Sequence, residues 1–182
     1  MDFMDNLRLK YAQLNAAGRL VAVVSGITIL FWLLGLVIDP ITSWFALPSG
    51  FIPAILQPWS WITYGFLHSG IFHLLFNMLI LYFTGQMMSN LFNGRQFVTL
   101  FFMGILAGGL SFTLVSELFV SFFSNNLLMG ASAGVYATLF FICTYMPENE
   151  VRLFFILNVK LKYLAYGLVA LDAFAIATNT NA

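Results

Sequence analysis

The sequence predicts an all-α fold, a polytopic bundle of transmembrane helices, and three observations carry that expectation. Apolar residues make up 61% of the 182 residues and charged residues only 8%, where a soluble domain has about 25% charged. Long uncharged runs, several of them near the ~20 residues a helix needs to cross a bilayer, alternate with short stretches holding proline, glycine or a basic residue. Threading five helices through these runs puts all seven basic residues (Arg8, Lys10, Arg19, Arg95, Arg152, Lys160, Lys162) on one side. The positive-inside rule makes that side, and the N-terminus, cytoplasmic.

Residues 1–19 are mixed, with Leu7, Tyr11 and Leu14 at helical spacing and basic residues between them. They read as a cytoplasmic N-terminal segment, a surface helix or a tail. Leu20 to Ile38 carries no charge, and Asp39-Pro40 ends this first span. Residues 39–67 hold four of the five prolines together with Trp44, Trp59 and Trp61. Proline forbids one long helix and tryptophan prefers the headgroup level, so this loop is expected to lie half-sunk in the interface. A second helix is expected over 69–92, a turn at Asn93-Gly94-Arg95, and a third helix over 97–119. Gly104, Gly108 and Gly109 in the third read as close-packing positions. After a link at 121–129, a fourth helix runs from Ser132 to Met146-Pro147. At about 15 residues it is too short to cross about 30 Å at 1.5 Å per residue, so its start is expected inside the membrane, facing protein or a cavity. Residues 151–162 alternate weakly and read as a loop or interfacial stretch, and a fifth helix is expected over 163–177.

Composition also limits the chemistry. Net charge is zero, so nothing calls for nucleic acid or an acidic partner. A single cysteine, Cys143, excludes an intrachain disulfide framework. With two histidines and no His-Glu-x-x-His run, a zinc site has little to build on, and neither a metal nor a cofactor is expected. No small-residue cleavage site follows the first span, so no cleavable signal is expected.

Two short motifs stand out against this apolar background. One is Gly130-Ala-Ser132-Ala-Gly134, a serine at the start of a helix between two glycines. Gly130 and Gly134 also form a small-xxx-small pair of the kind that packs helices, and on the pentapeptide alone the two readings balance. The other motif is His68-x-x-x-x-His73-x-x-x-Asn77, in which His73 and Asn77 share a helix face. Polar groups inside a bilayer are costly, and a functional site is their default reading.

Together these motifs resemble the rhomboid family of intramembrane serine proteases, with its histidine, then His-x-x-x-Asn on the second core helix and Gly-x-Ser at the start of the fourth. The resemblance runs from about Trp59 to the C-terminus. It implies that Ser132 is the nucleophile, that His73 and Asn77 with the Ser132 backbone N–H stabilise the oxyanion, and that His68, Gly130 and Gly134 shape the site. It also implies transmembrane proteins as substrates, a bacterial inner membrane as the location, and a site opening towards the outer face. Rhomboids take their base from a histidine on a sixth core helix, and this sequence has no histidine after His73. Residues 20–182 are therefore expected to be a rhomboid-like membrane domain incomplete at its C-terminus, with five of six helices and without the base. Asp172 is the other candidate for that role, although a paired structural carboxyl is the commoner use of such a residue. Where the family often has a glutamate near the cytoplasmic end of the second core helix, this sequence reads Gln86-Met-Met-Ser-Asn90. The alternative function is a non-catalytic rhomboid-like protein that binds transmembrane clients. A small transporter lacks support in the absence of repeated broken helices.

Overall fold

The computed structural model describes residues 3–38, 40–123, 126–153 and 157–179. The chain divides into two compact units, 1–138 and 139–182. Every residue of the two motifs falls in the first.

The first unit begins with helix α1 (Phe3–Gln13) and helix α2 (Ala16–Gly35). Helix α2 starts before the uncharged run because Asn15 caps it, its side chain accepting from the Gly18 N–H at 2.8 Å. Arg19 is thereby drawn into the first turn, where its guanidinium donates to the Ala12 carbonyl at 2.8 Å and sits 5.9 Å from the centre of the Tyr11 ring.

The proline-rich loop folds into short pieces: α3 (Ile41–Phe45), β1 (Leu47–Pro48), α4 (Phe51–Leu56), α5 (Ser60–Thr63) and a 3₁₀ turn over Tyr64–Phe66. Prolines break the helices and side chains tie the pieces together. The Trp59 indole N–H donates to the Trp44 carbonyl at 2.7 Å, that of Trp61 to Ala54 at 3.0 Å, and the Thr63 hydroxyl to Phe45 at 2.7 Å.

Helices α6 (Ile71–Ser89) and α7 (Gly94–Leu118) follow. The expected turn at 93–95 is in fact the start of α7. Asn93 accepts from the Gln96 N–H at 3.0 Å while the Gln96 side chain accepts from the Asn93 N–H at 2.9 Å, a reciprocal capping box. Next come α8 (Val120–Phe123), β2 (Leu127–Leu128) and α9 (Ser132–Tyr145). Strand β2 pairs antiparallel with β1, Leu47 opposite Leu128 and Pro48 opposite Leu127, so the first loop is fastened to the segment that leads into Ser132.

Among the described residues, three helices, α2, α6 and α7, are long and apolar enough to cross a membrane. Protein covers only 28%, 39% and 22% of their apolar windows, which leaves most of each to the surrounding lipid. Of the other two expected spans, the fourth is a shorter apolar helix, α9, and the fifth falls on a helix whose described apolar part is Leu161–Ala170. Within the first unit, α7 and the start of α9 approach so closely that a Cβ on Gly104 would stand 2.7 Å from the Ala133 carbonyl oxygen. The packing role expected of Gly104 is the one it has.

In the second unit, β3 (Glu150–Leu153) and β4 (Leu157–Lys160) form an antiparallel pair that leads into α10 (Leu161–Asn179). The stretch expected as a loop is a hairpin, closed by the Leu161 N–H on the Asn149 carbonyl at 2.9 Å. Glu148 pairs with Lys160 at 2.8 Å and with Lys162. Hydrogen bonds from Lys160 and then Lys162 pull the Glu148 carboxyl down to about 2. Being exposed, these pairs fix geometry more than they add stability. The side chain of Asp172 lies outside the described residues.

Candidate active site

Four elements of the first unit converge on Ser132. Helix α9 begins at Ser132 itself, so its first-turn N–H groups have no partner within the helix and carry the positive end of its dipole. Gly130 turns the chain into that helix with φ +126°, a conformation that side chains rarely adopt. Its N–H is held by the Tyr64 carbonyl at 2.9 Å, and the Tyr64 hydroxyl in turn donates to Ile105 of α7 at 2.6 Å. The 3₁₀ turn thus acts as a strut between α7 and the serine.

His73, in the first turn of α6, places Nε2 3.2 Å from the Ser132 hydroxyl, and its Nδ1 lies 3.2 Å from the Ser69 hydroxyl. Gly130 makes room for this contact. A Cβ there would stand 2.7 Å from His73 Cε1 and 2.9 Å from Nε2. Gly134 does something else: a Cβ there would meet the Phe101 ring at 2.6 Å and the Phe101 carbonyl at 2.8 Å. Gly130 thus lies against His73 and Ser132, and Gly134 in the packing of α9 against Phe101.

His68 is buried at 3% exposure, and both of its nitrogens are occupied. The Thr28 hydroxyl donates its one proton to the Phe66 carbonyl at 2.8 Å, so towards His68 Nδ1, 3.0 Å away, it accepts. That sets the proton of His68 on Nδ1 and leaves Nε2 to accept from the Ala131 N–H at 3.3 Å. The His68 carbonyl accepts from the Trp32 indole at 2.8 Å. His68 therefore holds the residue before the serine and has no nitrogen left for Ser132. Its ring stands edge-on to that of His73, centroids 5.0 Å apart.

Asn77 is also buried, but its amide donates back to the His73 carbonyl at 2.8 Å. One N–H of the amide fixes the start of α6, and its second is the one left for a ligand. Ser132, His73, His68 and Gly130 are thus brought together directly, whereas Asn77 stands one turn along α6 behind His73. Thr28, Trp32, Tyr64 and Ser69 were missed from sequence. Each has an ordinary local reading, a tolerated hydroxyl or an interfacial aromatic, and only the fold aims it at the site.

The order and placement of these residues bear on kinship. A family model, the rhomboid domain, matches residues 55–181, which include both motifs. The chain belongs to the rhomboid family. No curated protein matches it. As a rhomboid it is an integral membrane protein of a family whose members are generally serine proteases.

Proposed function

We propose that this rhomboid is an intramembrane serine endopeptidase that cleaves transmembrane segments of other membrane proteins, with Ser132 as the nucleophile. The observation that carries the reading is the contact of His73 Nε2 with the Ser132 hydroxyl at 3.2 Å, at the first residue of a helix, where the first-turn N–H groups lack acceptors within the helix. Acyl transfer needs a nucleophile, a base and donors aimed at the developing oxyanion. The Ser132 N–H, the free N–H of Asn77 and, when its proton sits on Nε2, His73 are the donors available. In that role His73 stabilises the oxyanion and the base comes from elsewhere.

Ser69 allows a second role for His73. With Ser69 accepting from Nδ1, the His73 lone pair on Nε2 points at the Ser132 hydroxyl, the arrangement of a general base. His73 is the one histidine of the sequence's two that has a nitrogen for Ser132.

The test is reconstitution of the chain in liposomes with a transmembrane substrate, with fluorophosphonate labelling read beside cleavage. Ser132-dependent cleavage and labelling by these 182 residues are expected if His73 is the base, and with His73 on the oxyanion side they need a base from elsewhere. Labelling abolished in Ser132→Ala but retained in His73→Ala keeps His73 on the oxyanion side, and labelling lost in both makes it the base. Capture of substrate without cleavage or labelling, unchanged in Ser132→Ala, overturns the protease in favour of a non-catalytic binder of transmembrane clients.

A further inference from the structure

A second concave feature of the first unit is a cleft away from Ser132. It measures about 770 Å³ and lies between α2 and α7, at the end where both helices begin. Its walls come from matching faces of the two helices: Arg19, Leu20 and Val23 on one, Arg95, Val98 and Phe102 on the other. On α7 Arg95 stands in the first turn with Val98 and Phe102 about one and two turns further in, and on α2 Arg19 is followed by Leu20 beside it and Val23 one turn on, so the cleft is cationic at its mouth and apolar along about 6 Å of α2 and about 10 Å of α7. Phe66 closes the inner end, its ring 6.2 Å from that of Phe102.

Both arginines are exposed. Arg19 spends one N–H on the Ala12 carbonyl, and a guanidinium has five to give, in a fork that suits phosphate. Water would satisfy the two heads but not the walls, and an apolar solute would satisfy the walls but leave two cations facing it. A molecule with an anionic phosphate at one end and a hydrocarbon chain at the other matches both, and basic pockets between membrane helices recognise such headgroups. A volume of this size is in the range of built ligand sites.

We propose that this cleft is a binding site for one anionic phospholipid, its phosphate held between Arg19 and Arg95 and an acyl chain laid along Leu20, Val23, Val98 and Phe102 towards Phe66. The site stands apart from the proposed catalytic serine and does not rest on proteolytic activity. It does reach the serine's supports, because the Phe66 carbonyl accepts the Thr28 hydroxyl that fixes His68. An occupied cleft would press on the residue that anchors this network.

The test is native mass spectrometry of the full chain released from detergent micelles doped with equal amounts of phosphatidylglycerol and phosphatidylcholine. One phosphatidylglycerol is expected to be retained in preference to phosphatidylcholine. Each of Arg19→Gln and Arg95→Gln should weaken that retention roughly fivefold, the scale of one basic side chain at an anionic lipid surface. Val98→Trp, which fills the cleft and leaves both charges, should abolish it. Arg8→Gln with Lys10→Gln removes charge from α1 without touching the cleft and should leave retention unchanged. Equal retention of the two lipids, equal loss in the α1 variant, or survival of binding in Val98→Trp would overturn the proposal in favour of diffuse surface attraction. Displacement by inorganic phosphate alone, at the lipid's own concentration, would overturn it in favour of a plain anion site.

Discussion

Thr28 is a buried hydroxyl in a largely apolar helix, and with the Ala131 N–H it sets which nitrogen of His68 carries the proton. With only two histidines in the sequence, the imidazole ¹⁵N spectrum of a labelled sample reads this directly. Thr28→Val should leave the His68 Nδ1–H without an acceptor, shift its resonance and lower stability by about 1–3 kcal/mol, the cost of leaving a buried donor unmet, whereas Thr28→Ser should keep the wild-type spectrum. An unchanged spectrum in Thr28→Val would remove Thr28 from the network. Two further substitutions probe the proposed chemistry at the same scale. In an active preparation, Asn77→Ala should lower turnover by about 10²-fold, the scale for one oxyanion donor, and loss of folded protein instead would make Asn77 a structural brace of α6. Gly130→Ala places a methyl group against His73 and an L-residue at φ +126°, a strain of about 1–3 kcal/mol. Fluorophosphonate labelling should fall to the level of Ser132→Ala, and wild-type labelling would show that the loop relaxes freely.

At the scale of elements, sequence and structure agree where a long apolar run is bounded by a strong signal. The runs behind α2, α6, α7 and α9 are of this kind, and so is Pro147 just beyond α9. They part where a signal is local and ambiguous. Asn93 reads as part of a turn but caps α7, and Asn15 caps α2, so both helices start nearer the N-terminus than their apolar runs. The β1–β2 pair has two residues a side, too few for any periodicity to register. Likewise the motif residues were legible in the sequence because they are costly in a bilayer, whereas Thr28, Ser69 and Tyr64 were not, since their partners lie on other elements. The close crossing of α7 and α9 gives a prediction that separates packing from chemistry. Gly134→Ala drives a methyl group into the Phe101 ring and backbone and should cost about 1–3 kcal/mol of stability. The fraction that remains folded should label at the wild-type rate, and a selective loss of labelling at full stability would put Gly134 in the site instead.

For the molecule as a whole, the orientation expected from charge is open to direct measurement. With the basic ends of α2 and α7 cytoplasmic, a cysteine placed at Ser49 should react with an impermeant reagent added outside, and one placed at Asn93 should not. The reverse pattern would overturn the orientation.

The pairing of Leu47 with Leu128 spans about 80 residues of chain, and that separation has a meaning in time. At ~5–20 residues per second of synthesis, the first loop leaves the ribosome some 4–16 seconds before its partner strand exists. Through that interval the Leu47 edge has nothing to pair with. The bonds from Trp59 to Trp44, from Trp61 to Ala54 and from Thr63 to Phe45 need no residue later than 63. They let the loop take its shape as it emerges, so the nascent chain waits for its partner strand with that edge already in position.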